Sequence, residues 1–113
     1  MNDTLPAELE VRALMRAAET TGGSAMLLSK GDRDRGDIFL LLCQRGVTTA
    51  LAGREYTAAG ERRWRILASE HSDRPGAVDE AVAKRRAIDP DLWVVELDLA
   101  DPAFYTAEIL EIS

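Results

Sequence analysis

The stretch that decides the fold is Asp89-Pro90-Asp91-Leu92-Trp93-Val94-Val95-Glu96-Leu97-Asp98, in which a helix stop leads directly into a strand. Pro90 disfavours helix at the residue before it and cannot continue a helix, so a helix is predicted to end at Asp89. The side chains that follow alternate with the period of two that a strand requires. One face carries Trp93, Val95, Leu97 and Leu99, and the other carries Leu92, Val94, Glu96 and Asp98.

Apolar spacing and turn residues place the other elements on either side of this stretch. They predict a helix over 7–20, strands over 24–29, 37–44, 47–52 and 61–68, a loop over 53–60, a helix over 75–88 and a strand over 92–99. The run Ile38 to Leu42 is apolar on both faces, which favours the centre of a sheet. Arg45-Gly46 predicts a tight reversal, so the first three strands are expected to form an antiparallel meander.

The resulting prediction is a single α+β domain with an antiparallel sheet of about five strands. Two main helices are expected on one face of this sheet, and Asp101-Pro102 begins a possible short C-terminal helix. The domain is expected to span 1–98. Residues 99–113 then form an acidic and apolar extension that packs either on the domain or on a partner in a possible homodimer.

Size and cysteine content indicate the class of protein. The chain has 113 residues, an ordinary size for one domain. Its single cysteine, Cys43, excludes an intrachain disulfide, which suits a reducing compartment. Residues 1–4 lack the basic start of a secretory signal, and the longest apolar run, Ile38 to Cys43, is too short for a membrane span. We therefore expect a cytoplasmic protein that does not associate with membranes.

Charge is distributed unevenly along the chain. The net charge is -6, and residues 87–113 contain 7 acidic side chains and no basic ones. An acidic protein is repelled by phosphates unless its basic groups form one patch. Arg62-Arg63-Trp64-Arg65 mixes basic and aromatic side chains, but alternation on a strand separates Trp64 from two of the arginines. Nucleic-acid binding is therefore an unlikely function.

No strong catalytic or metal-binding motif is present. Asp32, Asp34 and Asp37 lie close together, yet the glycine and glutamate positions of a calcium loop do not fit them. Cys43 lies in an apolar strand and is expected to be buried and inert, and His71 is the only histidine. We therefore assign no catalytic residue, no metal and no cofactor.

The weaker candidates are binding residues. Asp89, Asp91 and Glu96 are carboxylates around the last strand, and Trp93 is either a core residue or part of an exposed hot spot. Arg63 and Arg65 share one face of their strand. A small enzyme or ligand-binding domain could use these carboxylates and the Arg62–Arg65 strand around one pocket.

Three local signatures resemble a family of bacterial proteins known as domain of unknown function 1491. They are a helix with Val11, Ala13 and Arg16, the pair Gly31-Asp32 followed by Gly36 and the strand at 37–42, and most distinctively the stretch from Asp89 to Glu96. The resemblance covers roughly residues 5–98. It implies a small bacterial protein and no assigned activity, so no functional residue is carried over.

The function predicted from the sequence is a non-enzymatic interaction or regulatory module. Its binding surface is expected to be the sheet face or the acidic tail, because acidic and apolar residues concentrate after Asp89. A small enzyme or ligand-binding domain and a homodimer formed through the C-terminal tail are the alternatives.

Overall fold

A computed structural model describes residues 5–113, which form one five-stranded sheet with helices packed on it. The elements in chain order are α1 (Ala7–Thr20), β1 (Ser24–Ser29), β2 (Ile38–Gln44), β3 (Val47–Tyr56), β4 (Arg62–Ser69), α2 (Ala77–Ile88), β5 (Trp93–Asp98) and α3 (Pro102–Phe104), which continues into a π-helical turn over Tyr105–Ile109. The α+β class and the number of strands are confirmed. The absence of a secretory signal was predicted for residues 1–4, which lie outside the described part.

The sheet is mixed, with the strand order β1-β5-β2-β3-β4. β2, β3 and β4 form the antiparallel meander, and Arg45 and Gly46 turn the first hairpin with positive φ angles of 53° and 78°. β5 lies between β1 and β2 and runs parallel to β2. The prediction of a purely antiparallel sheet, with β1 beside β2, is therefore wrong. β5 is buried along most of its length, with Trp93, Val95 and Leu97 on one face and Val94 on the other, and such a strand gains most from an interior position.

The two long helices lie on opposite faces of the sheet, which corrects the prediction that both lie on one face. On one face, Val11 and Ala18 of α1 pack in a core with Leu40 and Val95. On the other face, α2 contributes Val78 and Val82 to a second core, together with Phe39, Leu41, Leu51 and Val94. Two cores are possible because β2 and β5 alternate apolar residues onto both faces. β2 is the middle strand, as predicted.

β3 is longer than predicted, because residues 53–56 continue the strand instead of forming a loop. Gly53 signals a turn in the sequence, but in the structure it makes room for neighbouring side chains. A Cβ at this position would lie 2.5 Å from Leu67 Cδ1 and 3.2 Å from Phe39 Cε1. A glycine inside a strand often marks such a close approach.

The C-terminal segment packs on the α1 face of the sheet. Asp101 caps α3 by accepting a hydrogen bond from the Phe104 amide at 3.0 Å. Tyr105 and Leu110 are buried in the α1 core, and the Tyr105 hydroxyl donates to the Leu14 carbonyl oxygen at 2.7 Å. Burial raises the pKa of this phenol above its ordinary value. The division at residue 98 and the pairing of this tail across a dimer stay predictions.

Glu70 caps the start of α2 from outside the helix. Its two carboxylate oxygens accept hydrogen bonds from the amides of Gly76 and Val78, each at 3.0 Å. The Gly76 bond and then the Val78 bond hold the pKa of the Glu70 carboxyl below its ordinary value of 4.5. The bonds therefore stabilise the fold most when the carboxyl is ionised.

We expect Glu70→Gln to make the free energy of unfolding depend less on pH in the acidic range. A depressed folded-state pKa adds stability above the unfolded value, and this stability is lost as the pH falls through the folded value. The variant should thus be less stable than the wild type at neutral pH, and the difference should narrow as the pH falls below 4.5. Urea unfolding at a series of pH values measures this, with Glu108→Gln as the exposed control. A difference that stays constant down to acid unfolding would contradict the role assigned to Glu70.

Candidate functional site

The outer edge of β1 is the least protected part of the sheet. β1 pairs only with β5, so its other side presents free backbone amides and carbonyls. The strand Ser24–Ser29 contains no charged residue, and it exposes 58% of Met26, 40% of Leu27 and 43% of Leu28. Charged side chains are a usual protection of an edge strand, and β1 lacks them.

We call this surface, formed by residues 24–29, the β1 edge. The sequence predicted the strand but not its role, because exposure depends on which strand becomes its neighbour. A signal was present in the sequence all the same. All eight of the strand's neighbours in the chain, at 19–23 and 30–32, are polar, charged or glycine, while the strand itself is uncharged. The pairing with β5 stays regular from Ser24 to Leu27, and a bulge follows at Leu28.

The opposite edge of the sheet is protected. β4 carries Arg62, Arg63 and Arg65, and the last two form ion pairs with Glu61 and Glu55 at 3.2 and 2.6 Å. The C-terminal residues Ile109 to Ser113 line clefts beside this strand. The two edges of one sheet therefore differ in charge, and the β1 edge is the uncharged one.

Trp64 on β4 already contacts another side chain of the fold. The Arg54 guanidinium stacks over its ring, 4.7 Å from the centroid. The same guanidinium forms two hydrogen bonds to the Glu10 carboxylate, at 2.5 and 3.1 Å, and so ties α1 to the β3–β4 hairpin. Arg62 makes no ion pair with any residue in the described range 5–113, and it lines two clefts, of about 340 and 260 Å³.

Asp91 and Trp93, two of the predicted binding residues, hold a loop in place. The Asp91 carbonyl oxygen accepts a hydrogen bond from the Asp32 amide at 3.0 Å, and the Trp93 indole N–H donates to the Asp32 carbonyl oxygen at 2.7 Å. Trp93 is 2% exposed. A Cβ on Gly31 or Gly36 would lie 2.1 Å from the Asp91 oxygen, so the loop needs glycine at both positions.

Asp89 finishes α2. Its carboxylate accepts hydrogen bonds from the Arg85 Nε at 3.1 Å and from the Asp91 amide at 3.1 Å. Arg85 also pairs with Asp37, just before β2, and lies over the Phe39 ring. These contacts fasten the end of the helix to the sheet.

The predicted carboxylates and arginines are not brought together. Glu96 lies on β5 opposite Met26, whereas Arg63 and Arg65 lie on β4. β2 and β3 separate the two strands, a distance of about 14 Å at the usual strand spacing. The three clefts that Arg62, Arg63 or Arg65 line include none of the carboxylates Asp89, Asp91 and Glu96.

The aspartates of the β1–β2 loop have structural partners. Asp32 accepts hydrogen bonds from the amides of Arg35 and Asp34, at 2.8 and 3.1 Å, and these bonds hold the pKa of its carboxyl below the ordinary value. Asp37 pairs with Arg85. Across residues 5–113 no group of three or more histidine, cysteine and acidic side chains is arranged to hold a metal ion.

Cys43 is buried, as predicted, and its thiol lies 3.6 Å from the Thr48 hydroxyl. Burial raises the pKa of the Cys43 thiol, the nearby Glu96 and Asp98 carboxylates raise it further, and the Thr48 contact opposes them. A thiol that resists ionisation reacts slowly, because the thiolate is the nucleophile.

We therefore expect native Cys43 to be nearly inert to iodoacetamide at neutral pH and to react rapidly once the chain is unfolded in urea. Mass spectrometry over time measures the labelled fraction. The control is a Cys43→Ala, Ser72→Cys variant, whose thiol lies in an exposed loop and should be labelled in the folded protein. Equal labelling rates for native Cys43 and this exposed thiol would contradict the burial argument.

Helices in the described range 5–113 fall short of the length and apolar character that a membrane crossing needs. No curated protein matches the chain. The chain resembles the NMR structure of a DUF1491 family protein from Caulobacter crescentus CB15, with 30% identity, a TM-score of 0.75, and coverage of 89% of this chain and 91% of that one.

Two further solved structures agree. A crystal structure of a DUF1491 family protein from the same organism shows 32% identity and a TM-score of 0.70, covering 88% and 92% of the two chains. The solution structure of protein Atu0922 from A. tumefaciens shows 27% identity and a TM-score of 0.71, covering 86% and 87%. The family model described as "Protein of unknown function (DUF1491)" matches residues 5–105, and the chain therefore belongs to this family.

Proposed function

We propose that this chain is a non-enzymatic protein-interaction module and that the β1 edge is its binding surface. The observation that carries the proposal is the contrast between the two edges of the sheet. The β4 edge has three arginines, whereas the β1 edge is uncharged and exposes Met26, Leu27 and Leu28. The lone buried cysteine suits a cytoplasmic setting for such a module.

The physical basis is strand addition. An extended segment of a partner can satisfy the free backbone groups of an edge strand, and the side chains of that strand then provide specificity. Burial of the exposed apolar side chains contributes a favourable free energy of about 25 cal/mol for each Å² of apolar surface removed from water. Because β1 has no charge, a partner segment meets no desolvation cost from ionised groups along the strand.

The test uses the full chain as bait in its native cell extract. The wild type is expected to retain a reproducible partner, and Met26→Lys is expected to lose it, because the lysine charge protects the edge. Ile66→Lys is the matched control, since it places the same charge on the opposite edge strand and should keep the partner. Retention of the same partner by Met26→Lys, or the absence of any partner, would argue against the β1 edge.

A second candidate function is the binding of a small anionic ligand beside β4. It is favoured by Arg62, which is half-buried, has no ion-pair partner among residues 5–113 and lines two clefts. A carboxylate or phosphate would supply the missing counter-charge. Thermal unfolding with a panel of such anions should show a rise in Tm that Arg62→Ala abolishes. No rise with any anion would remove this candidate.

A further inference from the structure

We propose that the strand which pairs with the β1 edge is β1 of a second copy of this chain, so that two sheets join into one ten-stranded sheet. This inference rests on the proposed function and names its partner. It concerns a surface different from the C-terminal tail, whose Tyr105 and Leu110 are buried within their own chain.

Symmetry limits the registers open to such a pair, because one residue must lie opposite its own copy on the axis. Two identical antiparallel strands are related by a two-fold axis normal to the sheet, and residues opposite each other point to the same face. An axis at Met26 therefore sets Met26 against its own copy and sets Ala25 against Leu27 twice. The small, half-buried Ala25 leaves room for the more exposed Leu27. All of these pairs are uncharged, so a chain with a net charge of -6 meets its copy along a neutral strip.

Charge complementarity at the ends of the strand supports the same occupant. In this register, with the bulge at Leu28 taken into account, Lys30 of one copy lies beside the Gly22–Gly23 turn of the other, just beyond the end of α1. The last turn of α1 contains Glu19 and no basic residue, so the negative end of the helix dipole has no cation of its own. Lys30 is exposed and makes no ion pair within residues 5–113. The pairing would thus bring two Lys30 ammonium groups to two helix ends that lack a cation.

The protected β4 edge explains why the assembly would stop at two. A sheet with two open edges can grow without limit, whereas one open edge forms a closed two-fold pair. Arg62, Arg63 and Arg65 keep a further chain from adding to β4. The geometry therefore supports a dimer and not a filament.

Six residues a side make a small interface compared with the roughly 800 Å² per partner of a stable complex. We therefore expect a weak dimer whose population rises with concentration. Sedimentation equilibrium over a series reaching the millimolar range should show a mass moving from 12.4 kDa toward twice that value. A mass that stays at 12.4 kDa over the whole series would overturn the inference.

Met26→Lys tests the register, because it places two ammonium groups opposite each other on the two-fold axis. We expect the dimer dissociation constant to rise about tenfold or more, which corresponds to about 1.4 kcal/mol. Ile66→Lys, the control on the opposite edge, should leave the constant unchanged. Circular dichroism confirms that both variants are folded. A dimer that survives Met26→Lys would place the interface elsewhere and overturn the proposal.

Exchanging the charges of Lys30 and Glu19 tests the contact proposed at the two ends of the paired strands. Lys30→Glu should weaken the dimer, and adding Glu19→Lys should restore it, a rescue that damage to the monomer fold would not produce. No rescue by the double variant would count against this register. If the chain is a monomer at every concentration and yet loses an extract partner on Met26→Lys, the self-pairing fails while the proposed function stands. If the wild type dimerises as its concentration rises and Met26→Lys removes the dimer, both are supported.

Discussion

Trp93→Ala is expected to destabilise the fold by about 3–5 kcal/mol, the usual loss for removing a buried tryptophan. Trp93 is almost completely buried in the α1 core, and its indole N–H is the hydrogen-bond donor to the Asp32 carbonyl oxygen. The Gly31–Gly36 loop packs against the same ring. The substitution therefore removes a core side chain and the support of a loop together. Since domains of this size are stable by about 5–15 kcal/mol, the variant should be close to unfolding.

Urea unfolding followed by far-UV circular dichroism measures the loss. Trp93→Phe is the informative control, because it keeps an aromatic ring in the core while removing the N–H donor and a smaller volume than Trp93→Ala removes. We expect it to lose about 1–3 kcal/mol, the cost of leaving a polar group without its partner. A loss below about 1 kcal/mol for Trp93→Ala would show that the core and the loop do not depend on this ring.

This dependence explains why the stretch from Asp89 to Asp98 was so informative in the sequence. The helix stop, the alternating strand and the central position of β2 were all predicted correctly, because each depends on local pattern. Two of the signatures behind the family resemblance, the Gly31–Gly36 segment and the Asp89–Glu96 segment, are in direct contact in the fold. Their side chains and backbone support one another, so the resemblance there reflects structural need.

The errors have a common physical origin. The position of β5 between β1 and β2 depends on pairing between strands far apart in the chain, which no local pattern encodes. The position of α2 on the face opposite α1 follows from the same crossover. Gly53 was interpreted as a turn because glycine favours turns, whereas here it accommodates Phe39 and Leu67.

The candidate site could not be predicted from the sequence for the same reason. Met26, Leu27 and Leu28 have the composition of a buried strand, and only the strand order shows that they lie at an edge. The opposite error was made for three of the predicted binding residues. Asp89, Asp91 and Trp93 have the charged and aromatic side chains that are typical of binding sites, but their contacts stabilise the fold. An uncharged strand placed at an edge by non-local pairing thus gives the stronger functional signal.

The ion pair between Glu10 and Arg54 leads to the second large effect. The two side chains are 19% and 12% exposed, so both charges are largely removed from water. Removing one member leaves the other charge buried without compensation, which is much more costly than removing both. We expect Glu10→Met to lose about 3 kcal/mol, the low end of the range for a fully buried pair. Within residues 5–113, the Arg54 Nε already lacks a hydrogen-bond partner and cannot compensate.

The double variant Glu10→Met, Arg54→Met should return to within about 1 kcal/mol of the wild type, because apolar side chains of similar size can replace a buried pair. Urea unfolding of all four members of the cycle gives the coupling energy. The exposed pair Glu55–Arg65, with side chains 48% and 66% exposed, is the matched control and should show less than about 1 kcal/mol. If the Glu10 and Arg54 losses simply added, the pair would contribute no coupling, and α1 would be held to the hairpin by its apolar contacts alone.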